Sequence, residues 1–203
     1  MYDKPSIWLR RYVPEDSNSR LWYFDDELKR LYISAYHINQ ETIFEYFKII
    51  NSIEASTLVT YPSSAYILAK LAKKNNLNFK YINQIRVASE KMQNSWAEEI
   101  NNVFKIKPLA HYGQIEKVSF MHQTHESTDY KYIHEYGVTE LVVDNNYQNK
   151  ILGTGFLNYY MPFLRYETGD YAENANKENS SIVTDILGRT SDILISENGT
   201  LLP

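Results

Sequence analysis

The chain has 203 residues, 43% hydrophobic and 23% charged, with a formal charge of −4 and no cysteine. That length supports one substantial core, or a core with a smaller appended layer, and the acidic balance supplies no basic surface for a nucleic acid. The lack of cysteine excludes disulfides, thiolate zinc sites and cysteine nucleophiles. Met1–Arg11 holds no apolar run of signal or membrane-spanning length, so a soluble cytoplasmic protein without nucleic-acid or membrane partners is expected.

The 18 tyrosines are spread along the whole chain, which reads as amphipathic packing layers and not as a base-stacking platform. Residues 1–30 carry aromatic and charged residues without a clear period and read as an extended lead-in. A strand is expected at Leu31–Ile38, and Asn39 and Thr42 lead into a helix over Glu41–Ile53, with Ile43, Tyr46, Phe47 and Ile50 on its apolar face. A buried strand at Ser56–Thr60 follows, then a helix opened by Pro62, with Ala65, Leu68, Ala69 and Ala72 as its stripe. Lys70, Lys73 and Lys74 read as its solvated side. Ile85–Ala88 is the next strand, Met92 to Phe104 the next helix, and Pro108–Tyr112 the third strand. Strand and helix alternating at this spacing imply a parallel sheet, whose ligand crevice lies beyond the carboxyl ends of the strands.

All seven glycines lie at or after position 113, where the pattern changes to short strands and turns. Strands are expected at Tyr130–Ile133, Thr139–Val143, Ile151–Gly155, Phe163–Tyr166 and Ile193–Ser196, giving a β-rich, barrel-like subdomain. The polar stretch between Asp170 and Ile182 reads as an exposed loop. The organisation expected is therefore a lead-in at 1–30, an α/β parallel-sheet subdomain at 31–118, a β-rich subdomain at 119–187 and a terminal segment at 188–203.

Three clusters place glycine beside charge: Tyr112-Gly113-Gln114-Ile115-Glu116, Arg165-Tyr166-Glu167-Thr168-Gly169-Asp170 and Gly188-Arg189-Thr190-Ser191-Asp192. Each alone is compatible with hairpin punctuation. In this order they resemble successive signatures of the adenylate-forming enzymes, which activate a carboxylate with ATP. Tyr61-Pro62-Ser63-Ser64-Ala65, Ala88-Ser89-Glu90, Glu135-Tyr136-Gly137 and Met161-Pro162 are similar to the phenylacetate-CoA ligase branch and its CapK-like, coenzyme F390 synthetase-like members. The likeness runs from about residue 30 to the C-terminus.

The resemblance implies part of the large N-terminal domain of such an enzyme, with ATP or AMP and Mg²⁺ as ligands. A small-molecule carboxylic acid would be the substrate and coenzyme A the co-substrate. It also points to capsule-polysaccharide biosynthesis as the setting. Tyr112 would lie against adenine, and Ser89 and Glu90 would line the purine mainly through backbone. Gly113, Gln114 and Ile115 would complete the nucleotide-binding turn. Glu116 would help hold Mg²⁺, Asp170 would accept the ribose hydroxyls and Arg189 would contact the nucleotide. Glu116 and Arg189 would be the catalytic pair, acting by position and charge.

Three departures accompany the matches: Ile115 where a phosphate-binding threonine is common, Glu167 where arginine is common, and Ser191 where an acid is common. No glycine precedes Gly113 to build a phosphate loop, and Lys177 is the last lysine. The expectation is therefore a middle part of such an enzyme, inactive alone, associating with a second copy or a complementing chain through an open sheet edge. The alternative is a degenerate non-catalytic module for nucleotide sensing or partner docking. His122, His125 and His134 read as solvent-facing polar residues, and His37 as hydrogen-bonded and structural.

Overall fold

A computed structural model of the chain describes residues 4–15, 19–145, 148–173, 182–189, 194–195 and 201–202. Two compact units form, Met1–Pro108 and Leu109–Pro203.

The first unit runs through β1 (Ser6–Arg10), β2 (Trp22–Asp25), β3 (Arg30–Ser34), a 3-10 turn at Ala35–His37 and α1 (Ile43–Ser52). It continues through β4 (Thr57–Thr60), α2 (Pro62–Lys74), β5 (Gln84–Val87) and α3 (Asn94–Phe104). Its sheet order is β5-β4-β1-β3-β2. β1 is parallel to both β3 and β4, β4 is parallel to β5, and β2 closes the edge antiparallel to β3. The parallel strand-helix-strand reading is thus observed, with two additions. The lead-in supplies β1, which enters the middle of the sheet, and β2 at its edge.

Ile7 and Leu9 of β1 are fully buried and alternate with Trp8, the period of a strand. The alternation spans only one short strand beside Arg10 and Arg11, too brief to stand out until β3 and β4 offer it backbone partners. The core around it is Leu31, Ile33, Leu58, Ile85 and Val87, all without solvent exposure. Burial of each such side chain stabilises by roughly 1.5–3 kcal/mol. α1 buries Ile43, Tyr46 and Ile50, and the Tyr46 hydroxyl donates to the Ser34 carbonyl at 2.8 Å. α2 buries its alanine-leucine stripe and leaves its lysines outside. It packs on α3, where Tyr66 stacks on Trp96 with centroids 5.4 Å apart.

The second unit holds two antiparallel sheets. β6 (Leu109–Gly113), β7 (Phe120–His122), β8 (Tyr130–Tyr132) and the later β12 (Ile182–Val183) follow one another in the first. The second has β9 (Gly137–Val143), β10 (Asn149–Gly155), β11 (Tyr166–Glu173) and β13 (Asp185–Arg189) in the order β13-β11-β10-β9. β14 (Leu194–Ile195) and β15 (Leu201–Leu202) form a short ladder.

Two expectations change here. The strand expected at Phe163–Tyr166 begins instead at Tyr166 and runs to Glu173, because Thr168, Asp170, Tyr171 and Ala172 are buried between flanking strands. The exposed loop expected after Asp170 therefore does not begin there, and residues 174–181 lie outside the described ones. Polar residues with paired neighbours hid this strand from a hydrophobic pattern. Gly188 and Arg189 belong to β13, whereas Thr190, Ser191 and Asp192 lie outside the described residues.

Candidate functional site

Of the residues read as a site, Ser89 and Glu90 belong to the first unit. They follow β5 in a turn whose Ala88 amide donates to the Thr60 carbonyl at 3.3 Å. Ser89 adopts φ 73°, a left-handed conformation uncommon outside glycine. Its hydroxyl accepts a 2.7 Å hydrogen bond from Arg10 Nη2, and Glu90 Oε2 accepts the Ser63 amide at 3.0 Å in the first turn of α2. A carboxylate there satisfies an orphan amide and faces the positive end of the helix. The side chains of both residues thus turn to the first unit's own frame. Beside them opens a cavity of about 820 Å³ lined by Trp8, Tyr32, Tyr61, Arg10 and Ser89 among others.

The remaining residues belong to the second unit. β6 ends at Gly113, and the chain turns through Gln114–Ser119 into β7. The Lys117 amide donates to the Gln114 carbonyl at 3.2 Å, with Lys117 left-handed at φ 57°. Val118, fully buried, lodges on the glycines of β9 and β10. A Cβ on Gly153 would meet the Val118 carbonyl oxygen at 2.7 Å, and one on Gly155 the Lys117 carbonyl oxygen at 2.5 Å. Side chains there would displace the turn that carries Glu116. Ser119 and Thr139 hydroxyls, 2.7 Å apart, fasten the other end.

Asp170 is buried, with 9% of its surface exposed. Its Oδ2 accepts the Tyr112 hydroxyl at 2.6 Å, and its Oδ1 lies 3.5 Å from Arg189 Nε. Antiparallel pairing sets Asp170 opposite Arg189, so strand register builds this pair. Burial, and then the bond to Asp170, hold the Tyr112 phenol well above the ordinary tyrosine range, so Tyr112 remains a neutral donor. Arg189 is 61% exposed, and its contact with Asp170 is a weak, solvent-screened one.

Tyr166 was absent from the residues read as a site. Its hydroxyl donates to Glu116 Oε1 at 3.1 Å. Its acidity is lowered first by that bond, while Asp170 and Arg189 also act on it with opposite signs. The available signal was its place in the same Arg165–Asp170 stretch, with one strand residue between it and Thr168.

Gln114 Oε1 accepts the Ser119 amide at 3.4 Å, which leaves Nε2 buried with no hydrogen-bond partner among the described residues. An acceptor atom of a ligand would complete it. Ile115 is 94% exposed, so this position presents hydrocarbon and no hydroxyl. Lys150 pairs with Glu167 at 2.7 Å, a surface role for the residue standing where arginine is common. His37 lies in the 3-10 turn and is bonded to Ser34 through Nδ1 at 2.8 Å, while His122 Nδ1 bonds the Gln123 carbonyl at 3.0 Å. Among the described residues no group of three histidine or acidic side chains could hold a metal by itself, and no helix is long and apolar enough to cross a membrane.

The residues present fit a nucleotide. A buried carboxylate retains lone pairs on both oxygens, an aromatic ring is fixed beside it, and an amide donor lacks a partner. They also fit Mg²⁺ that arrives with phosphates, since such an ion needs only one or two protein carboxylates, here Glu116.

This architecture, a parallel-strand sheet with a separate antiparallel sheet, is that of the N-terminal domain of adenylate-forming ligases. The chain aligns over 100% of its length with 2-hydroxyisobutyryl-CoA ligase in an open conformation in complex with 2-HIB-AMP and CoA, covering 52% of that chain at a TM-score of 0.66 and 13% identity. It aligns over 100% of its length with coronafacic acid ligase from Pectobacterium brasiliense, covering 42% of that chain at a TM-score of 0.56 and 14% identity. In sequence it is similar to Protein CapK of Staphylococcus aureus, 25% identical over 199 residues, which is 94% of this chain and 44% of CapK. No family model matches. The chain thus spans less than half the length of this curated relative and about half or less of these solved ligases, with which it shares the fold.

Proposed function

We propose that the chain supplies the adenine-, ribose- and Mg²⁺-binding part of a ligase that activates a carboxylic acid with ATP. The acyl group would then pass to coenzyme A, with capsule-polysaccharide biosynthesis as the setting the resemblance implies. The observation that carries this reading is the Tyr112–Asp170–Arg189 cluster, with Glu116 held separately by the Tyr166 hydroxyl. Tyr112 offers a ring face for the base, its hydroxyl tied back to Asp170. Asp170 has one described donor near each oxygen and keeps lone pairs for the ribose hydroxyls. Glu116, oriented by Tyr166, holds the metal that accompanies the phosphates. Arg189 is the cation able to offset charge as it develops. None of these groups is a nucleophile, so the chemistry asked of them is binding, orientation and charge compensation.

Calorimetric titration with AMP tests the binding step. Wild-type protein should bind, and Asp170→Asn and Tyr112→Ala should each weaken binding about tenfold, the scale of one hydrogen bond to a charged group. A wild-type titration without heat, or two variants that bind like wild type, would sink the proposal.

Ile115 favours a second reading, a nucleotide-binding module without adenylation activity, because its side chain offers no hydroxyl to a phosphate. Carboxylate-dependent exchange of pyrophosphate into ATP separates the two. Exchange supports the ligase, whereas AMP binding without exchange supports the module.

A further inference from the structure

We infer that Arg10 is a positioning residue for the nucleotide, holding the Ser89–Glu90 turn in a conformation that the turn would not keep by itself. The inference rests on the reading of that turn as lining the purine. Ser89 sits at φ 73°, where a side chain is disfavoured and glycine is at ease. Such outliers persist only where surrounding contacts over-determine them.

Two contacts reach the turn here, one from the end of β1 and one from the start of α2, and a third links those two elements. Arg10, the last residue of β1, donates from Nη2 to the Ser89 hydroxyl at 2.7 Å. The guanidinium carbon lies 4.7 Å from the centroid of the Tyr61 ring, so the donor is itself clamped by a cation–π contact. Tyr61 leads directly into α2, and the Ser63 amide of that helix donates to Glu90. Arg10, Tyr61, Ser63, Glu90 and Ser89 therefore close a ring of contacts around the turn. Among the described residues no carboxylate forms an ion pair with Arg10, so its described polar partner is Ser89. This is a role in the site for β1, the strand from the lead-in.

Arg10→Met keeps an apolar stem against Tyr61 and removes the donor. The expected result is a five- to tenfold rise in the AMP dissociation constant, the scale of one lost hydrogen bond. Faster amide exchange at Ser89 and Glu90 should accompany it, without a matching fall in thermal stability. Adding Ser89→Gly should restore binding to within about twofold of wild type, because glycine takes positive φ without help. A merely structural role for Arg10 would not be rescued in this way. Ser89→Ala, which removes only the acceptor, should reproduce the loss and serves if Arg10→Met fails to fold.

Unchanged AMP binding in both single variants, or a double variant that stays weak, overturns the inference. If wild-type protein does not bind AMP, the nucleotide reading fails and this role falls with it. The exchange measurement separately decides whether Arg10 holds the turn, and unchanged exchange in Arg10→Met overturns that holding.

Discussion

At the residue scale the chemistry concentrates on two phenols and two carboxylates. Tyr112 and Tyr166 each donate to an acid, at 2.6 Å to Asp170 and 3.1 Å to Glu116. Tyr112→Phe keeps the ring and deletes the donor to a buried carboxylate. It should lower unfolding stability by about 1.5–3 kcal/mol and retain more AMP binding than Tyr112→Ala; urea denaturation and calorimetry read the two effects. A second expectation concerns alkali. Burial pushes the Tyr130 and Tyr132 phenols up to about 12, in Tyr130 with Asp185 adding to the effect. Their folded pKa values exceed the ordinary value near 10, so the stability they contribute is complete below that pH. It is lost as the pH rises through about 12. Tyrosine absorbance followed together with unfolding should show ionisation of these groups delayed until the fold weakens. Ionisation near pH 10 with the fold intact would contradict it.

Most of the second unit's candidate residues were legible in the sequence because they stand within contiguous motifs beside glycine. Tyr166 was not, since its partner Glu116 lies 50 positions away. Arg10 was missed for the same reason, 79 positions from Ser89. Ion pairs and hydrogen bonds of that separation exist only after strands have set their register.

At the element scale the turn between β6 and β7 depends on the strands beneath it. Gly153 faces Val118, whose Cγ2 would stand 2.6 Å from an added Cβ. Gly153→Ala should therefore cost about 1–3 kcal/mol through overpacking and reduce the Mg²⁺-dependent tightening of ATP binding through displacement of Glu116. Gly169 has open space around it but φ +78°, so Gly169→Ala should cost only the left-handed penalty of roughly 1–2 kcal/mol. A Gly153→Ala variant as stable as wild type would remove the link between β10 and the turn. The glycine-rich character of the second half was visible in composition, whereas the atom that each glycine makes room for was not. The β11 strand shows the opposite limit, because Thr168 and Asp170 are buried polar residues satisfied by Tyr112 and by backbone, and a hydrophobic period gives them no weight.

At the scale of the whole molecule, Glu116 as the one acidic residue proposed for the metal makes Mg²⁺ binding conditional. Titration with Mg²⁺ alone should give no heat, Mg²⁺ should tighten ATP binding, and Glu116→Ala should abolish that tightening while leaving AMP affinity near wild type. Tight Mg²⁺ binding without nucleotide would contradict the assignment. Among the described residues β2 is bonded to β3 alone in its sheet, with Tyr23 exposed along this edge. An open strand edge invites pairing with a second chain, so concentration-dependent association is expected in sedimentation velocity. A monomer at the highest soluble concentration would count against it.

The sequence by itself determined the alternation of strand and helix, the shift to turn-rich strands after Gly113, and the order of the three glycine-and-charge motifs. Those are local properties, carried by side-chain period and by the conformational freedom of glycine. Only the tertiary structure decided that β1 enters the middle of the parallel sheet, that Asp170 and Arg189 face each other across two strands, and that a left-handed Ser89 is held by Arg10. Each of these requires backbone hydrogen bonds or side-chain contacts between distant segments, and no window along the chain contains both partners.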